Sequence, residues 1–308
     1  MDFFSVPLLD GLVHRLGAPL LLAVVLYAVV SAKTLPFAWH MRVFYGYFRH
    51  YYLDGRRVPS RSTDGALTIF QPTIYTTSTP PGDVDYSLHK SNSTYLTDLD
   101  LARGYHFYCL FRVGLKKYSK KGPIFPALGG VTCTFKKEIR PFEKVEIWTR
   151  VLSWDSKWIY LISHFVKASN ARPARYTDQP WRKNAPGSAP AQPTLYATCI
   201  SKYVVKLGRK TVPPDEFLAA CGLLTPEPGE EHSDRASGAS RAAANGTTPA
   251  CGRVSREEGS SDGSQPDSVG REVEARRQKG LVLANHIAAL DGGQDWFTGD
   301  GEVVFAKY

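Results

Sequence analysis

A single long helical period, Ser93 to Tyr118, stands between one strand-like run and four more, and no other feature of the chain constrains its fold as tightly. Tyr95, Leu99, Ala102, Leu110 and Val113 mark its apolar face. Ser91 or Ser93 would cap its start. Asp98 and Asp100 lie early and Lys116 and Lys117 late, the order that a helix dipole favours. Gly104 costs about 1 kcal/mol relative to Ala inside a helix, which points to close packing on a sheet there. The run before it, Leu67 to Thr77, is β-branched and aromatic, with Pro72 marking an edge or bulge, and Pro80-Pro81-Gly82 ends it. The runs after it are Ile124 to Ile139, Lys144 to Ser153, Lys157 to Lys167 and Thr194 to Leu207. Val131, Cys133 and Phe135 alternate with Thr132, Thr134 and Lys136, and Asp155-Ser156 reads as a hairpin turn. One long helix on a mostly antiparallel sheet makes an α+β domain, placed at residues 58–224 with an exposed insertion at 168–193.

The flanks are of other kinds. Leu16 to Ala32 is seventeen residues without a charge, between Arg15 and Lys33, long enough to span a bilayer core as an N-terminal transmembrane helix. A cleaved signal peptide is the competing reading, since Ser31-Ala32 offers a small-residue end. The following stretch, residues 34–57, favours an anchor at residues 1–33, because Arg42 and Arg49 lie among Trp39, Phe44, Tyr45, Tyr47, Tyr51 and Tyr52. Aromatic residues beside cations suit a membrane interface, and the cations put this side, with the body of the protein, in the cytosol. The five cysteines form no C-x-x-C pair and no framework spacing, which suits a reducing compartment. Net charge is +9, but the basic residues are spread out and lack the aromatic interleaving of an RNA-binding motif, so nucleic acid is not the expected partner. Residues 225–268 are Ser-, Gly-, Glu-, Ala- and Pro-rich and read as a disordered linker. Residues 269–308 read as an amphipathic helix interrupted at Gly280, then a short aromatic piece that docks on the main domain or meets a membrane or partner.

Chemistry concentrates between Asp83 and Arg103. Asp83, Asp85, His89 and Asn92 crowd a polar loop immediately before the long helix. Free N–H groups of a first helical turn can polarise a carbonyl or hold an oxyanion, and a nearby Asp can act as base or nucleophile. The alternative is that these are ordinary loop groups satisfying backbone at a helix entry. A metal site of Asp83, Asp85 and His89 lacks a fourth ligand. There is no G-x-S-x-G elbow and no phosphate-binding Gly-rich loop.

The segment Asp83-Val-Asp85-Tyr-Ser-Leu-His89-Lys-Ser-Asn92-Ser-Thr-Tyr95 resembles the D-x-D-x-x-G-H-V-N-N-x-x-Y signature of hotdog-fold acyl-CoA thioesterases of the 4-hydroxybenzoyl-CoA type. The wider chain, from Leu16 to Leu224, is similar to thioesterase superfamily member six and to fungal relatives, some of them stand-alone thioesterases of polyketide or lipopeptide pathways. The resemblance implies a hotdog, a long central helix wrapped by an antiparallel sheet. It implies hydrolysis of an acyl-CoA or carrier-protein thioester without metal or other cofactor, by a homodimer. On this pattern Asp85 is the catalytic carboxylate, and His89 and Asn92 orient the loop or substrate. The helix start at Ser93, Thr94 and Tyr95 binds the substrate. The implied location is the endoplasmic reticulum membrane with the catalytic domain cytosolic. Leu88 replaces the signature's glycine and Ser91 its first asparagine, which keeps open a non-catalytic acyl-binding or scaffolding protein of that membrane.

Overall fold

The computed structural model describes residues 7–54, 67–168, 171, 193–224 and 266–296. The insertion, the linker and the last twelve residues considered above therefore lie largely outside the described residues.

The core is one helix held by one sheet. Helix α1 (Pro7–Val30) and helix α2 (Ala38–Tyr47) precede it, α2 running into a π-helical turn, Phe48–Leu53. Strand β1 (Thr73–Ser78) leads to helix α3 (Asn92–Leu110) and helix α4 (Arg112–Ser119). Then come β2 (Ile124–Phe135), β3 (Lys144–Trp154), β4 (Ile159–Lys167), β5 (Leu195–Leu207) and the short β6 (Lys210–Val212). Helix α5 (Pro214–Ala220) closes the domain, and α6 (Pro266–Ala288) follows after the linker. All strand pairs are antiparallel in the order β1-β3-β4-β5-β2, with β6 beside β5. This is the hotdog arrangement: α3 buries Tyr95, Leu99, Ala102, Phe107 and Leu110 against Ile147, Phe165 and Tyr203 of the sheet.

The structure corrects several local readings. The long helical period is two helices, because Phe111 leaves the helical region at φ −101°, ψ 7° and buries its ring completely between Phe107 and Phe217. The strand expected from Leu67 begins only at Thr73, after a 3-10 turn at Thr68–Phe70 on the near side of Pro72. Gly104 is not a contact point, since a Cβ there would meet only the Tyr108 ring edge at 3.8 Å. Ser91 occupies the α3 cap position, yet its hydroxyl pairs with that of Ser93 at 3.1 Å and caps no backbone N–H. Gly280 does not interrupt α6. It is where the helix meets β3, and a Cβ there would overlap the Leu152 carbonyl. Ser153 Oγ donates to the Arg277 carbonyl at 2.6 Å at the same crossing. The Asp155 turn is as expected, Oδ1 accepting the N–H of Lys157 and Trp158. Among the described residues no helix is long and apolar enough to cross a membrane, so the spanning helix expected over residues 16–32 is not found there.

Candidate active site

The Asp85 loop is a tight hairpin. Val84 and Lys90 form an antiparallel bridge, the Asp85 N–H donates to the His89 carbonyl at 3.0 Å, and the Leu88 N–H donates to the Asp85 carbonyl at 3.0 Å. Asp85 and His89 thus face each other across its base, while Tyr86, Ser87 and Leu88 form an exposed tip. Asp85 Oδ1 accepts the Ser87 N–H at 2.9 Å, an Asx turn that fixes the carboxylate. Leu88 has φ +59°, a left-handed conformation that costs an L-residue about 1–2 kcal/mol. The resembled signature has glycine here, which adopts that conformation freely. The substitution therefore strains the loop.

Asp85, His89, Asn92 and the edge of Tyr95 line one wall of an open cleft of about 330 Å³, and Phe135 to Glu138 line the other. That volume lies at the small end for a ligand site. Ser93 and Thr94 do not line it. Thr94 is occupied locally, its N–H and hydroxyl both donating to the Ser91 carbonyl at 3.0 and 2.8 Å. Tyr95 is 2% exposed and anchors the helix between Phe135 and Phe165, and burial raises its phenol above the ordinary range. Of the six residues named from sequence, four converge on the cleft and two serve the helix start.

Sequence reasoning missed the charged cluster under the loop. Lys33 Nζ reaches Asp83 at 2.5 Å and Asp98 at 2.7 Å, and Lys90 Nζ reaches the same two carboxylates at 3.0 and 2.9 Å. Thr77 Oγ1 donates to Asp98 Oδ1 at 3.2 Å, and Arg42 stands 3.9 Å from it. Asp83, Lys90 and Asp98 are buried. Burial lowers the Lys33 pKa, with the Asp98 charge opposing the shift. Asp83 is therefore committed to two lysines, which separates it from Asp85 and removes it from the metal set considered above. Charges at such separations in sequence, 33 with 83 and 98, leave no local signal; only the fold joins them. Cys133 and Cys199 were likewise not paired in advance. They sit opposite each other on β2 and β5 as a neighbouring pair of free thiols.

Residues 79–220 match the family described as the thioesterase-like superfamily. The protein named probable thioesterase atnL, of Emericella nidulans, is 32% identical over 288 residues, covering 86% of this chain and 84% of that one. Protein THEM6 of Xenopus laevis is 36% identical over 86 residues, 28% of this chain and 40% of its own. A 1,4-dihydroxy-2-naphthoyl-CoA thioesterase from Synechocystis superposes with a TM-score of 0.36 at 12% identity, over 49% of this chain and 95% of that one. With its helix-in-sheet topology and a relative matched along most of both lengths, the chain belongs to the thioesterase-like superfamily and is a thioester hydrolase.

Proposed function

We propose that the protein hydrolyses an acyl thioester carried on coenzyme A or a carrier protein, with Asp85 as the catalytic carboxylate. The observation that carries this is the convergence of Asp85, His89 and Asn92 on one cleft at the start of the buried helix α3. Asp85 activates water or attacks the carbonyl, and the N-terminal end of α3 at Asn92, where Ser91 provides no side-chain cap, meets the developing negative charge with the positive end of the helix dipole. His89 and Asn92 orient the loop or the substrate. Lys136 and Lys137 on the far wall offer cations to an anionic carrier. No metal is required in this scheme.

The working unit is a homodimer. Strand β2 ends the sheet and leaves Phe125, Leu128 and Phe135 exposed, a long apolar edge suited to a second copy. The enzyme is attached to a membrane through its N-terminal helix, where Leu20 to Leu22, Val24 to Leu26, Val29 and Val30 are exposed. The catalytic domain faces the cytosol at the endoplasmic reticulum, and fungal secondary metabolism is a setting in which polyketide-like chains would be its substrates.

Thiol release from acyl-CoA and acyl-carrier substrates by the full chain in detergent, beside Asp85→Asn, tests the reading. Loss of turnover by at least about 100-fold in a variant with unchanged circular dichroism is expected. A folded parent without turnover on either carrier would point instead to an acyl-binding protein that has kept the fold.

A further inference from the structure

Helix α2 and the π-helical turn that continues it carry large apolar and aromatic side chains outward as well as inward. From Phe37 to Leu53 the exposed positions recur at helical spacing, and apart from His40 and Arg49 they are apolar or aromatic: Phe37, Met41, Phe44, Tyr45, Phe48, Tyr52 and Leu53. The face turned to the protein mixes Trp39, Val43 and Tyr51 with the polar Arg42, His50 and Asp54. An amphipathic helix on a water-soluble domain keeps its outward face polar. The helix is not free to roll over. Arg42 Nη2 donates to the Tyr75 hydroxyl at 2.7 Å, the Tyr47 ring meets Tyr108, the His50 ring meets Tyr105, and Arg112 donates to the His50 carbonyl at 3.2 Å. Lys33, at the head of this arm, is held by Asp83 and Asp98.

We propose that this outward aromatic face is a lipid-docking surface, lying parallel to the bilayer in the boundary between headgroups and acyl chains. The inference rests on the membrane attachment proposed above for the N-terminal helix. Lipid is favoured over a protein groove by what adjoins the face. Helix α1, directly before it, exposes apolar side chains on every side, from Leu20 to Val30, and a groove would cover only one stripe of it. Tyr, Phe and Met along the face, with Arg49 at its edge, are the residue types that settle at a membrane interface. Lys116 Nζ sits 5.5 Å over the Tyr51 ring, and Lys117 and Lys120 of the same basic segment are exposed, so a cationic border for lipid phosphates adjoins the apolar face. Because Lys33 grips Asp83, two residues from Asp85, the arm also sets the attitude of the cleft toward the lipid. The catalytic loop is held close to the bilayer surface, which suits thioesters whose acyl chains partition into lipid.

The test uses the full chain in phosphatidylcholine–phosphatidylserine vesicles, with an NBD fluorophore on an introduced cysteine at Phe44→Cys, Phe48→Cys, Val25→Cys or Val282→Cys. Lipids brominated along the acyl chain quench only a fluorophore that touches them. Labels at positions 25, 44 and 48 are expected to lose most of their emission, and the label at the exposed position 282 on α6 none. Quenching at 25 without quenching at 44 and 48 overturns this inference and leaves membrane attachment standing. Quenching at neither site overturns both. Labels at 44 and 48 that are instead shielded from aqueous iodide only at high protein concentration would assign the face to a second copy of the chain, which also overturns it.

Discussion

Replacing Asp98 by Asn should remove one of two buried carboxylates while keeping the side-chain shape. In the parent, Asp98 is completely buried and faces Lys33 at 2.7 Å, Lys90 at 2.9 Å and the Thr77 hydroxyl at 3.2 Å. The variant leaves two lysines on Asp83 alone, one of them, Lys90, only 1% exposed along its side chain. Breaking a buried ion pair by removing one partner costs about 3–5 kcal/mol. A second route bounds the figure. A lysine whose pKa sinks from about 10.4 to the ambient pH of about 7 has given up roughly 3.4 units, close to 5 kcal/mol, and beyond that it deprotonates instead. For the roughly 200 described residues, a loss of about 3–5 kcal/mol lowers Tm by about 6–20 °C. The sign with pH follows from the direction of the shift. Lys33 is already lowered by burial with Asp98 opposing, so the variant lowers it further. The unfolded chain then holds more protons than the folded one between the lowered pKa and about 10.4, and stability rises with pH across that window. Denaturation in detergent at about pH 7 and about pH 9.5 reads both effects: the deficit of Asp98→Asn should narrow at the higher pH. A deficit below about 1 kcal/mol, or one indifferent to pH, would refute the picture of a tightly coupled buried quartet.

Other outcomes follow from single positions. Leu88→Gly removes the strain at φ +59° from an exposed residue and should raise stability by about 0.5–1 kcal/mol with turnover retained; a fall in Tm would mean that Leu88 makes an unrecognised contact. His106 is fully buried on α3 with Thr73 Oγ1 3.0 Å from Nδ1, and burial lowers its pKa to about 3. It stays neutral in the folded state while the unfolded chain protonates below about pH 6.5. The parent should therefore lose up to about 5 kcal/mol relative to His106→Gln as pH falls from about 6.5 to 3, and parallel pH–stability curves would contradict this. Gly280→Val should free α6 from β3, because any Cβ there overlaps the Leu152 carbonyl, and limited proteolysis would then cut between residues 266 and 296. Cleavage no faster than in the parent would show that the crossing adapts.

The α+β order and the position of the sheet were legible because the strand runs are rich in β-branched and aromatic residues, with period-two alternation in places such as Val131 to Lys136, and α3 carries an apolar face, signals that act within ten or twenty residues. Strand limits from Lys144 to Leu207 were recovered within two residues, since Pro, Asp and Ser punctuate them. What failed was of two kinds. The break at Phe111 obeys the needs of the core, which draws that ring between Phe107 and Phe217, and no capping residue announces it. Glycines misled because their spelling is the same at Gly104, where a Cβ would make only an ordinary contact with Tyr108, and at Gly280, where another backbone arrives.

The site divides along the same line. Asp85, His89 and Asn92 lie within eight residues, so a local motif exposes them, whereas the quartet that supports their loop draws on positions 33, 83, 90 and 98 and can be seen only after folding. The quartet joins two things that the sequence presented separately, an aromatic-basic arm and the Asp85 loop. Lys33 in that arm touches the carboxylate two residues before Asp85, so a force on the arm is felt at the hairpin within one ion pair. The arm is therefore part of the catalytic domain in the mechanical sense, although its composition marks it as a membrane linker. Its outward Phe and Tyr residues and its inward Arg42 follow from that double membership: one face must satisfy the protein's buried Asp98, and the other is left to whatever apolar medium covers it.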